Sequence, residues 1–177
     1  AQSNENRNIQ LLHPCSVTSK SSHSGAILPP LSLAYLAATL REAGYSVKII
    51  EGQGDAVFNI RLSECGDYNI QGLTTEEILE RIEPETRVLG ISLLFSYEWL
   101  IQRELIKAIK TRFPKIIIVA GGEHATALPE YVLRDCPEVD FVVSGEGEFT
   151  FLKLVSCIFY SREYRSLPGV SYIDGED

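Results

Sequence analysis

Three short stretches of this 177-residue chain set small, polar or acidic residues directly after apolar runs. Ser92-Leu93-Leu94-Phe95-Ser96 puts a hydroxyl at the end of one run. Gly121-Gly122-Glu123-His124-Ala125-Thr126 follows a second, and Gly145-Glu146-Gly147-Glu148 a third. Paired glycines after a buried strand let a ligand or another backbone approach closely. Each stretch also has a plainer reading. Ser92 could simply bond a neighbouring carbonyl, the glycine pair could be a tight turn, and His124 could be an ordinary loop histidine. Carboxylates at a helix start, as Glu146 and Glu148 would be, are stabilising without any function. The chemistry these stretches suit is therefore binding, and no catalytic or metal-ligating set stands out.

Several other chemistries find no residues to carry them. There is no GxGxxG or P-loop to cradle a phosphate, and the acids around Gly147 are badly placed for one. Cys15, Cys65, Cys136 and Cys157 form no CxxC and no CxxxCxxC, so neither a local metal pair nor a three-thiolate cluster loop is present. They read as reduced, mostly packed thiols of a cytoplasmic protein. A net charge of -8 argues against nucleic acid or anionic membrane as partner. No run of 18 apolar residues offers a membrane span, and AQSNENRN has no signal-peptide pattern.

The elements that must position these stretches follow from periodicity. Residues 8–14, 45–51, 87–94, 115–122 and 139–145 are short apolar runs bounded by turn residues, as buried strands are. Between them, 31–44 has helical spacing and ends at Gly44, and 74–84 opens with a Thr74/Glu77 capping box. Residues 97–114 form an amphipathic helix with Leu100, Ile101, Leu105, Ile106 and Ile109 inward. A short helix lies within 125–137, and another follows Glu146. Residues 52–72, with four glycines, read as an irregular excursion. Strands alternating with helices predict an α/β, doubly wound, flavodoxin/Rossmann-like fold: a five-stranded parallel sheet in the order 2-1-3-4-5. In such sheets ligands bind at the carboxyl ends of the strands, where all three stretches fall.

The spacing adds a resemblance. Ser92-Leu93-Leu94 has the form SxL, and 26 residues separate Leu94 from Gly121. SxL followed by GG resembles the last two parts of the cobalamin-binding fingerprint DxHxxG–SxL–GG. The first part is broken: Ser21-Ser22-His23-Ser24-Gly25 has a histidine, but no aspartate two residues before it, and its glycine comes one residue early. His23 is therefore not expected to ligate cobalt, since the aspartate that would fix its tautomer is missing. More of the chain, PPLSLAYLAATLREAGYSVKIIE, VLGIS, IIIVAGGEHATALPE and VDFVVSGEGEFTFLKL, resembles the N-terminal domain of cobalamin-dependent radical S-adenosylmethionine enzymes. Those domains usually lack DxHxxG.

The resemblance implies a domain over residues 1–160 that holds cobalamin by its tail. Ser92, Leu94, Gly121 and Gly122 would take the tail. Loops 93–97, 123–126 and 145–148 would meet the corrin amides. Residues 161–177 would be a linker into a following domain, the chain being a piece of a longer one. That missing radical catalytic domain would carry S-adenosylmethionine and a [4Fe–4S] cluster, with methyl transfer as its reaction. The alternative is a flavodoxin-like domain for a flavin or nucleotide. An interaction module of the receiver type would need an acidic cluster after the first strand, where the chain is serine-rich.

Overall fold

The structure, a computed structural model, describes residues 7–21, 27 and 29–174. Its strands are β1 (Asn8–His13), β2 (Ser16–Ser19), β3 (Ser46–Glu51), β4 (Ile60–Leu62), β5 (Tyr68–Gln71), β6 (Val88–Ser92), β7 (Ile117–Gly121), β8 (Phe141–Val143) and β9 (Val170–Ser171). Its helices are α1 (Leu31–Glu42), α2 (Thr75–Arg81), α3 (Trp99–Arg112), α4 (Glu123–Ala127), α5 (Pro129–Asp135) and α6 (Gly147–Tyr160).

The main sheet has the order β3-β1-β6-β7-β8-β9, parallel throughout except for the last pairing. Its five parallel strands stand in the order the sequence predicts, 2-1-3-4-5. The sixth strand is an addition. The stretch 161–177, read as the way out of the domain, first lays β9 antiparallel along β8. Tyr164 packs edge-to-face against both Phe141 and Tyr172, with the Phe141–Tyr164 rings 5.1 Å apart. The excursion is also more ordered than expected. β2, β5 and β4 form a separate antiparallel sheet at the carboxyl edge of β1 and β3. Its strands are three or four residues long and largely polar, too short to show a period.

Alternation along the strands splits the core in two. Leu12, Leu89, Ile91, Ile118 and Ala120 face α2, α3, α4 and α5. Ile9, Leu11, Val88, Val119, Phe141 and Val143 face α1 and α6. α2 carries the expected capping box: Thr74 accepts from the Glu77 N–H, and Glu77 accepts from the Thr74 N–H. α3 begins two residues later than predicted, after a 3₁₀ turn at Ser96–Glu98, and with a different phase. Leu100 is exposed, while Trp99 and Gln102 join Leu105, Ile106 and Ile109 inside. Glu98, a buried carboxylate, accepts from the Val17 N–H at 2.9 Å and so ties the start of α3 to β2. Among the described residues, no helix is long and apolar enough to cross a membrane.

Candidate cofactor-binding site

The same alternation that builds the core builds a groove. In β6, Gly90 and Ser92 are in phase with Val88; in β7, Gly121 is in phase with Val119. All therefore face α1 and α6. Ser92 and Gly121 are register partners on adjacent strands. Small residues here leave the sheet thin where two helices bridge it. The result is a cavity of about 770 Å³ between the carboxyl half of the sheet, α1 and the start of α6. That volume lies within the ordinary range of cofactor pockets. Its walls are mainly apolar, with hydroxyls of Ser32, Thr39, Ser92 and Thr126 among them. Tyr35 and Phe149 line it and are strongly exposed.

The two glycines of the pair do different work. Gly122 has φ +106°, and a Cβ there would lie 2.5 Å from the Leu93 carbonyl oxygen. Only glycine fits. The close approach lets the Leu93 N–H donate to the Gly121 carbonyl at 2.7 Å and the His124 N–H donate to the Leu93 carbonyl at 3.1 Å. Gly121 needs no special backbone, and a Cβ there meets only the Val143 carbonyl, at 3.6 Å. Its bareness keeps the groove open.

Ten of the fifteen residues singled out from the sequence line this groove. They are Ser92 and Leu94 after β6, Gly121, Gly122, Glu123 and Thr126 after β7, and Gly145, Glu146, Gly147 and Glu148 after β8. Thr126 ties the last two loops by accepting from the Gly145 N–H at 3.0 Å. Glu123, Glu146 and Glu148 make the groove's charged part acidic. The other five lie elsewhere. Leu93 and Ala125 are fully buried in the core on the far side. His124 is buried too, its Nδ1 bonded to the Ser96 hydroxyl at 2.9 Å and its ring beside Trp99. Burial holds its pKa below the usual value. Phe95 is half-exposed and stacks on Tyr97, lining a second, smaller cleft. His23 lies outside the described residues.

Sequence reasoning missed Gly90 and the α1 wall of Ser32, Tyr35, Leu36 and Thr39. Gly90 had a signal, its phase with Ser92 inside an apolar strand. A Cβ at Gly90 would meet the side chains of Leu11 and Phe151, so it lets α6 pack close beside the groove. The α1 wall had none, since its residues read as an ordinary amphipathic face.

Residues 21–155 match the B12 binding domain family. The chain is 34% identical over 150 residues to the uncharacterized methyltransferase PH0819 of Pyrococcus horikoshii, covering 84% of this chain and 28% of that protein. It is 35% identical over 125 residues to the cytidylyl-2-hydroxyethylphosphonate methyltransferase of Streptomyces wedmorensis, covering 70% and 23%. The chain thus spans about a quarter of the length of these relatives. Its fold matches that of the cobalamin-dependent S-adenosylmethionine radical enzyme OxsB, with aqua-cobalamin and S-adenosylmethionine bound, at a TM-score of 0.72 and 19% identity, covering 97% of this chain and 21% of that one. The flavin alternative gains no support from these matches. A groove kept open by a bare glycine beneath α1 and α6, with a family match across most of the chain, places this protein in the B12-binding domain family.

Proposed function

We propose that this domain holds cobalamin by its nucleotide tail in the groove between the sheet and α1/α6. The observation that carries the reading is Gly121: it faces the groove, is not required by backbone geometry, and has no side chain to fill the space. A flat aromatic base suits apolar walls a sheet-to-helix gap apart, and the hydroxyls of Ser92 and Thr126 suit its polar edges. Glu123, Glu146 and Glu148 would accept from the amide groups of the corrin, which are neutral donors. When bound, the cofactor supplies methyl-carrying cobalt chemistry, while the protein supplies position and surroundings.

In the longer protein we place a radical S-adenosylmethionine catalytic domain against the carboxyl edge of the sheet, with its own [4Fe–4S] cluster and methyl transfer as the reaction. The match to named methyltransferases several times this chain's length supports that arrangement. The free cysteines, three of them buried, suit a reducing cytoplasm. The test is direct. The purified chain is incubated with hydroxocobalamin, desalted, and its visible spectrum recorded. Retained corrin bands are expected. Their absence from a sample folded by circular dichroism contradicts the reading, and flavin bands on the protein as isolated favour the alternative.

A further inference from the structure

Ser92 and Leu94 border a second cavity as well as the groove. It is smaller, about 190 Å³, and lies among the ends of β1 and β6, the strand β2 and the start of α3. Its lining is unusual in being rich in buried hydrogen-bond acceptors. Glu98 is 5% exposed; one carboxylate oxygen accepts from the Val17 N–H and the other from the Gln102 Nε2 at 3.0 Å. No lysine or arginine among the described residues forms an ion pair with it. Gln102 is 3% exposed, and its bond to Glu98 fixes which end of the amide is which. Its Oε1 is left buried with no partner. Across the cleft, the His13 Nδ1 bonds Glu51 at 2.6 Å. A buried acceptor without a donor is costly, and native proteins rarely leave one without a reason.

We propose that this cleft is an acceptor site for a carboxamide side arm of the corrin, with Gln102 Oε1 and the Glu98 carboxylate taking its N–H groups. The inference rests on the cobalamin reading above. A carboxamide brings two N–H donors and no charge, which matches a carboxylate that must stay buried beside an orphan carbonyl. The cleft is several times the volume share of one water, which is about 30 Å³, so a short arm fits. Ser92 and Leu94 form the wall common to both cavities, so a macrocycle anchored in the groove has its rim within reach of the cleft. Gln102 and Glu98 are thus positioning residues for the ring, as Gly121 is for the tail.

The test is absorbance titration of this chain with three corrinoids: hydroxocobalamin, tail-less cobinamide, and the set of cobalamin monocarboxylic acids, each with one side-arm amide hydrolysed. One monoacid isomer is expected to bind at least about tenfold more weakly than the parent at pH 7, because it sets a carboxylate against Glu98 in place of a donor. Glu98→Gln should recover that isomer selectively. Gln102→Met is expected to weaken cobalamin and cobinamide alike by about three- to tenfold. Equal binding of every isomer overturns the side-arm site even if Gln102→Met fails to fold, and so do unchanged affinities in a folded Gln102→Met. Binding of neither cobalamin nor cobinamide by the folded wild type overturns the cofactor reading itself. Tight cobalamin binding without isomer discrimination overturns only the cleft.

Discussion

The groove and the cleft share Ser92 and Leu94, yet they are built in opposite ways. The groove is large and mainly apolar, and regular elements make it: strand alternation, two flanking helices, and glycine where a side chain would intrude. The cleft is small and polar. Irregular elements make it: a four-residue strand, a 3₁₀ turn and one buried carboxylate. The groove costs little to leave open, since apolar walls lose only contacts and Gly121 forfeits no hydrogen bond. The cleft holds the orphan Gln102 Oε1, so its arrangement carries a penalty unless a donor arrives. A wide groove therefore gives room, and a polar cleft gives discrimination.

That difference can be broken or sharpened by substitution. The largest effect is expected at Gly122. Gly122→Val puts a Cβ 2.5 Å from the Leu93 carbonyl at a φ of +106°, so urea unfolding should show a loss of about 3 kcal/mol or more. Gly121→Val next door should change the urea midpoint little and act on binding alone. Adjacent glycines with equal effects on stability would dissolve the distinction drawn between them.

On the cleft side, Glu98→Ala strips the Val17 N–H of its buried acceptor and frees Gln102. A loss of about 2 kcal/mol in urea is expected. A near-neutral result would mean that water serves these groups, and that the cleft is no acceptor site in need of a ligand.

A smaller effect is expected from His124. Burial holds its pKa below the ordinary 6.5, so below that pH the unfolded chain binds a proton that the folded chain resists. Stability should therefore fall as pH drops from 7.5 to 5.5. His124→Phe should flatten that slope. An unchanged slope would mean the histidine accepts a proton in place. Smallest of all, His23→Ala should leave the spectrum of bound cobalamin as it is, whereas a shift would restore histidine ligation of cobalt.

The contrast also explains what the sequence made legible. Five strands, their order and most of the groove follow from apolar runs and their phase, because buried parallel strands have little choice of composition. Ser92, Gly121 and Gly122 stood out for that reason, as exceptions inside such runs. A loop read as a string does not show that the side chains of Leu93, His124 and Ala125 turn back into the core. The cleft was invisible. Gln102 and Glu98 sit on what reads as the polar side of a helix, yet both are buried, Glu98 accepting from the Val17 N–H, while Leu100 is exposed. β2, β4 and β5 escaped notice for a related reason: their pairing is with one another, between segments that are each too short to carry a period.

The most direct test of the whole account compares wild type and Gly121→Val for retention of hydroxocobalamin and of tail-less cobinamide, measured by visible absorbance after desalting and with fold checked by circular dichroism. Wild type should keep both, and the variant should lose cobalamin but keep cobinamide, because Gly121 opens the part of the groove that takes the tail. A folded Gly121→Val protein that retains cobalamin as well as wild type does would contradict it.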